Sequence, residues 1–273
     1  MTDRNIQTRG ARIAYTDRGA GEIAHLFLHY WGGSSRTWEG VIAELEAGAR
    51  CVALDQRGWG RSQALDERYD LDAMADDVED VVVALGLKRY VLVGHSMGGK
   101  VAQIVATRGA SPLAGLVLVA PAPPEAMPVP AEQRAVMLAS YGSRERVEQA
   151  ISVLAGRPLS DAEREQVVAD TLAGAPGAKR EWTERGMMAA VGPGLRDFAG
   201  PVRVVVGELD RVERPEALRA AFAEALPQAT IETVPEVGHL SPIESPSAIA
   251  SACRDIASVL QKLQAINAPR RLG

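Results

Sequence analysis

The run Tyr90-Val91-Leu92-Val93-Gly94-His95-Ser96-Met97-Gly98-Gly99 decides the fold. Its first four residues form an apolar stretch of the kind buried on both faces of a parallel sheet. Lys100 to Arg108 then continues with helical spacing and stops at Gly109. A chain that passes from strand to helix within a few residues must turn sharply, and the glycines two residues before and after Ser96 leave room for that corner. The pattern Gly-x-Ser-x-Gly alone arises by chance roughly 0.1 times in a chain of this kind, so its weight comes from the strand before it and the helix after it.

Working outward, short β-rich runs alternate with amphipathic stretches, the arrangement of a mostly parallel sheet covered by helices. The other strands are read at His25–His29, Cys51–Asp55, Leu116–Ala120, Arg203–Gly207 and, more weakly, Ala229–Val234, with an edge hairpin over Ile6–Tyr15. Helices are read at Leu71–Leu85, Pro215–Leu226 and Ala248–Leu263. From Pro121 to about Gly200 the alternation breaks. Pro121-Ala122-Pro123-Pro124 ends the preceding strand, and the segment beyond it reads as four helices: Ala131–Tyr141, Ser143–Leu154, Ser160–Leu172 and Ala178–Met188. Ser160 and Glu163 form a capping box at the third. The expectation is a core of residues 1–121 and 200–273 with a helical insertion over 122–199, closed by Gly192-Pro193-Gly194.

The 273 residues are 47% hydrophobic and 24% charged, enough for a full core, with a formal net charge of −5. Acidic and basic residues are mixed apart from a basic tip at Arg270-Arg271, which speaks against nucleic acid as a partner. Cys51 and Cys253 read as buried free thiols, and no CxxC or close histidine pair suggests a metal. No apolar h-region follows Met1 and no segment has the length of a membrane span, so the expected location is cytoplasmic with no membrane partner.

A serine hydroxyl needs a general base. Of the four histidines, His25 and His29 precede the serine and His95 is expected to be packed beneath the turn. His239, in Val237-Gly238-His239-Leu240 between Pro235 and Pro242, comes after the last strand and satisfies the chain order serine, acid, histidine. The acid that would hold its tautomer is read as Asp210, just beyond the carboxyl end of a strand, with Glu208 the competing choice. Glu236 and Glu244 are read as facing solvent. Two backbone N–H groups must receive the developing oxyanion: Met97 supplies one, and Trp31 in His29-Tyr30-Trp31-Gly32-Gly33-Ser34 the other, with Tyr30 as the alternative.

These segments, together with Asp55-Gln56-Arg57-Gly58-Trp59-Gly60-Arg61-Ser62, resemble the α/β-hydrolase superfamily over nearly the whole chain and in the right order. The resemblance implies an α/β fold with an eight-stranded, mostly parallel sheet and a helical cap inserted after the sixth strand. It also implies that the Asp55–Ser62 run is a structural turn. The family's usual His-Gly pair is His29-Tyr30 here, which sets a large side chain beside the oxyanion loop and is expected to narrow the acyl pocket. The strand-to-cap junction is similar to that of cofactor-free haloperoxidase-like esterases. A serine at the turn, rather than an aspartate, speaks against dehalogenase and epoxide-hydrolase chemistry.

The expected activity is therefore hydrolysis of a carboxylic ester or lactone of a small, mainly apolar substrate, with no cofactor and no metal. Perhydrolysis or carbon–carbon cleavage at the same triad is the alternative, and a non-catalytic receptor on the same fold would require a degenerate triad. Tyr30 and Trp182 are the candidate pocket residues. Met127, Met137, Met187 and Met188 lie in the cap, where methionines pack helices at least as often as they line pockets. A small molecule is the expected partner, and a homodimer is admitted.

Overall fold

The structure, a computed structural model, describes residues 4–109 and 112–267; the Arg270-Arg271 tip lies outside the described residues. Nine strands form one sheet: β1 (Arg4–Gln7), β2 (Ala11–Arg18), β3 (Ala24–Leu28), β4 (Arg50–Leu54), β5 (Gln63–Ala64), β6 (Tyr90–His95), β7 (Leu113–Val119), β8 (Val202–Gly207) and β9 (Thr230–Val234). Eight of them, the number the resemblance implied, run in the order β1-β2-β4-β3-β6-β7-β8-β9, and the two-residue β5 adds a short pairing to β2. β1 and β2 form the expected antiparallel hairpin, with Ile6 opposite Ile13, and β3 through β9 on the main path pair in parallel.

Because successive strand residues point to opposite faces, the apolar runs feed two cores. Leu26, Leu28, Leu92, Leu116, Leu118, Val204 and Val206 meet α2 (Leu71–Ala84), α3 (Met97–Arg108) and α8 (Pro215–Ala225) on one face. Phe27, Val91, Val93, Val117, Val119 and Val205 meet α1 (Glu39–Leu45) and α10 (Pro246–Asn267) on the other. Cys51 and Cys253 are both free and buried in this second core. The Asp55–Ser62 turn is pinned by Asp55, whose carboxylate accepts from the Ser35 and Arg61 backbone N–H groups, while buried Arg57 pairs with Asp77 at 2.6 Å.

Between β7 and β8 lie α4 (Ala131–Ser140), α5 (Arg144–Leu154), α6 (Asp161–Ala173) and α7 (Pro176–Glu184), with no strand among the described residues there. These four helices occupy the segment expected to form the cap. α6 carries the expected capping box of Ser160 and Glu163. α7 ends earlier than its sequence pattern: Arg185 leaves helical geometry and Gly186–Met188 forms a separate 3-10 turn. Gly186 opens that turn packed against Trp182, since a Cβ on it would sit 2.8 Å from the ring. The short α9 (Ser241–Glu244) precedes α10. No helix among the described residues is long and apolar enough to cross a membrane.

The β6–α3 corner leaves no space for a larger residue at its second glycine. A Cβ on Gly98 would lie 2.5 Å from the Leu28 carbonyl oxygen and 2.6 Å from that of His29. Gly98→Ala is therefore expected to lose about 1–3 kcal/mol of stability or more through forced backbone displacement, read from the urea midpoint. A loss within the usual scatter of surface substitutions would show that the corner is looser than its geometry indicates.

Candidate active site

All the candidate groups lie at the carboxyl ends of parallel strands, where open α/β sheets assemble their sites. Ser96 follows β6, Asp210 follows β8, His239 follows β9 and Trp31 follows β3. Ser96 has φ 52° and ψ −113°, a conformation that a non-glycine residue holds only when its surroundings over-determine it. Its N–H donates to the Val119 carbonyl at 3.0 Å, and its own carbonyl accepts from Lys100 and Ala122 at 3.1 Å each. Ser96 is 8% exposed, and its hydroxyl has no hydrogen-bond partner among the described residues.

His239 and Asp210 meet directly. Asp210 Oδ2 lies 2.8 Å from His239 Nδ1, and Asp210 Oδ1 accepts from the Val212 and Glu213 N–H groups at 2.8 and 2.9 Å. Those two backbone bonds fix the carboxylate plane, so Nδ1 is engaged and Nε2 is the ring nitrogen left for a reacting group. Burial pushes the His239 pKa down, but the charge and hydrogen bond of Asp210, with Glu213 and Glu244 adding, carry it above the ordinary imidazole value. Glu208, the competing acid, is exposed and accepts from the Glu236 N–H instead.

The other imidazoles are placed differently. His95 is fully buried beneath the corner; its Nε2 donates to the His239 carbonyl at 2.8 Å, and the two rings lie 5.2 Å apart. His29 Nε2 accepts from the Gln56 N–H at 3.0 Å, so its proton sits on Nδ1, which donates to the Tyr30 carbonyl at 2.7 Å. Burial drives His29 to about 4 and His95 well below the ordinary value, so both are neutral.

Met97 is the first residue of α3, and its N–H has no acceptor within the helix. Trp31 is buried, with its ring stacked on Tyr141 at a centroid distance of 3.8 Å and its carbonyl accepting from the Tyr141 hydroxyl at 2.8 Å. Tyr30 turns away from that stack. Its ring lies 5.1 Å from the His95 ring and packs with Val147, Ile151, Val167, Val168 and Leu240, filling space between the cap and the corner. Trp182 and Met187 are buried in the same apolar cluster as Trp31, Met97 and Tyr141; Met127 and Met137 pack against it partly buried, and Met188 is exposed.

Several residues near the site give no sequence signal. Glu213 is buried three residues after Asp210, and burial first, then the Asp210 charge, push its carboxyl up to about 8. Lys100, fully buried, is brought down by burial to about 8 and donates to the Glu125 carbonyl. Glu244 corrects the sequence reading. Glu236 is exposed as expected, but Glu244 is partly buried and accepts from the Gly156, Arg157 and Gly238 N–H groups, since the short α9 turns it back under the His239 loop. Among the described residues no group of three or more His, Cys, Asp or Glu side chains is arranged to hold a metal ion.

A strained serine corner at the carboxyl edge of a parallel sheet, with an Asp two strands and a His three strands further on, defines a class of nucleophile-bearing α/β proteins. The chain belongs to the alpha/beta hydrolase family, whose model matches residues 26–252. It is 42% identical to a non-heme haloperoxidase of Rhodococcus erythropolis over 117 residues, 42% of each chain. It is also 42% identical to the bifunctional esterase/perhydrolase DCH of Acinetobacter calcoaceticus over 118 residues, 42% of this chain and 43% of the relative. The match thus spans about two-fifths of these relatives. Among solved structures, an esterase from Exiguobacterium antarcticum superposes with a TM-score of 0.85 at 19% identity, covering 95% of this chain and 100% of that one, a likeness of fold.

The Asp210 contact makes a spectroscopic prediction. In NMR titrations His239 is expected to titrate above 6.5, and in Asp210→Asn its pKa is expected to fall below that value, because desolvation then acts without the opposing charge. An unchanged pKa in the variant would mean that Asp210 does not control this imidazole.

Proposed function

We propose that the protein is a serine hydrolase that cleaves a carboxylic ester or lactone of a small, mainly apolar substrate through an acyl-enzyme. The observation that carries this reading is the 2.8 Å contact between His239 and Asp210 beside the strained Ser96 corner. With Nδ1 held by the carboxylate, Nε2 is free to take the Ser96 proton as Oγ attacks the substrate carbonyl carbon. The carbonyl oxygen becomes an oxyanion, received by the N–H groups of Met97 and Trp31. The imidazolium formed, favoured by Asp210, gives its proton to the leaving alcohol oxygen as the C–O bond breaks. Water then loses a proton to His239 and attacks the acyl carbon; the acid departs, and Ser96 Oγ regains its proton. Lack of a bond to the Ser96 hydroxyl before substrate arrives is compatible with this, because such bonds tighten in the reacting complex.

The apolar cluster of Trp31, Met97, Tyr141, Trp182 and Met187 supports a mainly apolar substrate. A second reading, perhydrolysis, draws support from the relative described as a bifunctional esterase/perhydrolase. There hydrogen peroxide, in place of water, attacks the same acyl-enzyme and leaves as the peracid.

Ser96→Ala is expected to lower the hydrolysis of a short p-nitrophenyl ester by a factor on the order of 10⁵–10⁶ while leaving the circular dichroism unchanged. Near-wild-type turnover in that variant would sink the mechanism. Wild type and Ser96→Ala assayed side by side on esters, lactones and β-diketones, with and without peroxide, separate the two readings. The wild-type kcat/KM is expected to rise with pH through the raised His239 pKa, since only the neutral imidazole accepts the serine proton. A profile whose acid limb lies below 6.5 would assign the limb to another group.

A further inference from the structure

The loop that carries Trp31 is held from two sides. On the core side, the peptide joining Tyr30 to Trp31 is fixed through its carbonyl, which accepts from His29 Nδ1 at 2.7 Å and from the Gly33 N–H at 3.0 Å. The Trp31 N–H belongs to that same rigid plane and points opposite to the carbonyl. On the cap side, three anchors come from residues more than a hundred positions away. The Tyr141 hydroxyl donates to the Trp31 carbonyl at 2.8 Å, the Thr171 hydroxyl donates to the Gly32 carbonyl at 3.1 Å, and the Ser34 hydroxyl donates to Asp170 at 2.8 Å. Tyr141 holds Trp31 twice, by its hydroxyl and by the ring stack, so the carbonyl and the side chain on one Cα are both immobilised by one cap residue.

We infer that Tyr141 is a positioning residue for the reaction: from the cap it immobilises Trp31 on the far side of its Cα, so that the N–H plane fixed by His29 and Gly33 keeps its aim at the oxyanion, with Thr171 securing the next peptide. The inference rests on the serine-hydrolase reading. Its physical basis is that a Gly32-Gly33 loop, with Gly32 at φ 100°, has more backbone freedom than an N–H donor can tolerate. A donor misplaced by about 1 Å costs on the order of a hundredfold in rate. The cap therefore completes the oxyanion hole as well as roofing the substrate.

Tyr141→Phe keeps the ring stack and removes only the hydroxyl. It is expected to lower kcat roughly tenfold with KM within about twofold, since the interaction is made in the transition state. A merely structural role would not discriminate between ligands, so the decisive readout is a pair of inhibitors. A trifluoromethyl ketone accepts Ser96 Oγ at its carbonyl carbon, the proton passing to His239, and presents an oxyanion. Its affinity is expected to fall in step with kcat/KM, while that of the unfluorinated alkane of the same shape stays constant.

Equal losses for both inhibitors, or wild-type kcat and trifluoromethyl-ketone affinity, would overturn the inference. If Tyr141→Phe does not fold, Thr171→Val is put through the same pair, and the same parallel loss is required. Labelling by a fluorophosphonate separates the two failures. A wild type not labelled at Ser96 overturns the hydrolase reading, whereas a labelled wild type with an indifferent Tyr141→Phe overturns only the role of Tyr141.

Discussion

Ser96 is held at a positive φ that its side chain disfavours, and the structure around it is arranged so that no relaxed alternative is open. Three elements supply the restraint. β7 accepts the Ser96 N–H at Val119, α3 returns an N–H from Lys100 to the Ser96 carbonyl, and the first cap-side residues add a second from Ala122. Beneath them the Leu28 and His29 carbonyls press against Gly98. The corner can stay strained only because β3, β6 and β7 are neighbours in the centre of the sheet, so the sheet order is a condition for presenting the hydroxyl.

The remaining groups are tied to that corner through the cap. The His239 N–H donates to the Leu154 carbonyl at 2.6 Å, and Glu244 gathers N–H groups from Gly156 and Arg157 of the cap and from Gly238 beside His239. On the other flank the cap holds Trp31, Gly32 and Ser34. The loops after β3 and β9 are therefore both bonded to the helices above them. The proposed base and the proposed oxyanion donor are thus anchored to the same helical segment.

How much of the site is legible in the sequence depends on the range of each interaction. The corner is readable because the room it needs is provided locally, by glycines two residues either side of Ser96. Asp210 and His239 are readable because strand ends are marked by the apolar runs before them and only the order of residue types is needed. Asp210 is separable from Glu208 by position beyond the strand, and the structure puts Glu208 on the Glu236 N–H. Tyr141, Asp170 and Thr171 carry no such mark: they sit in ordinary helical patterns and meet the oxyanion loop across 110 to 139 residues of chain. Tyr30 stands out by the residue it replaces, which says that space is filled but not in which direction its ring turns. The turn after α7 packs Gly186 close against the Trp182 ring, a contact that helical periodicity does not encode.

The electrostatics set one histidine apart from the others as the proposed base. Imidazole is the same group at 29, 95 and 239, and all three are buried. Burial disfavours the cation in each case, and nothing opposes it enough at His29 or His95, whose ring N–H groups go to neutral carbonyls. At His239 the acceptor is a carboxylate, itself steadied by two backbone N–H groups, and the balance reverses. The two neutral rings then act as fixed hydrogen-bond spacers, His29 for the Trp31 peptide and His95 for the His239 backbone. Of the three, His239 alone has a carboxylate beside it to compensate a charge on its buried ring, as the proposed role of general base requires. Asp210 thus raises the basicity of a residue type that, at His29 and His95, is held neutral by burial.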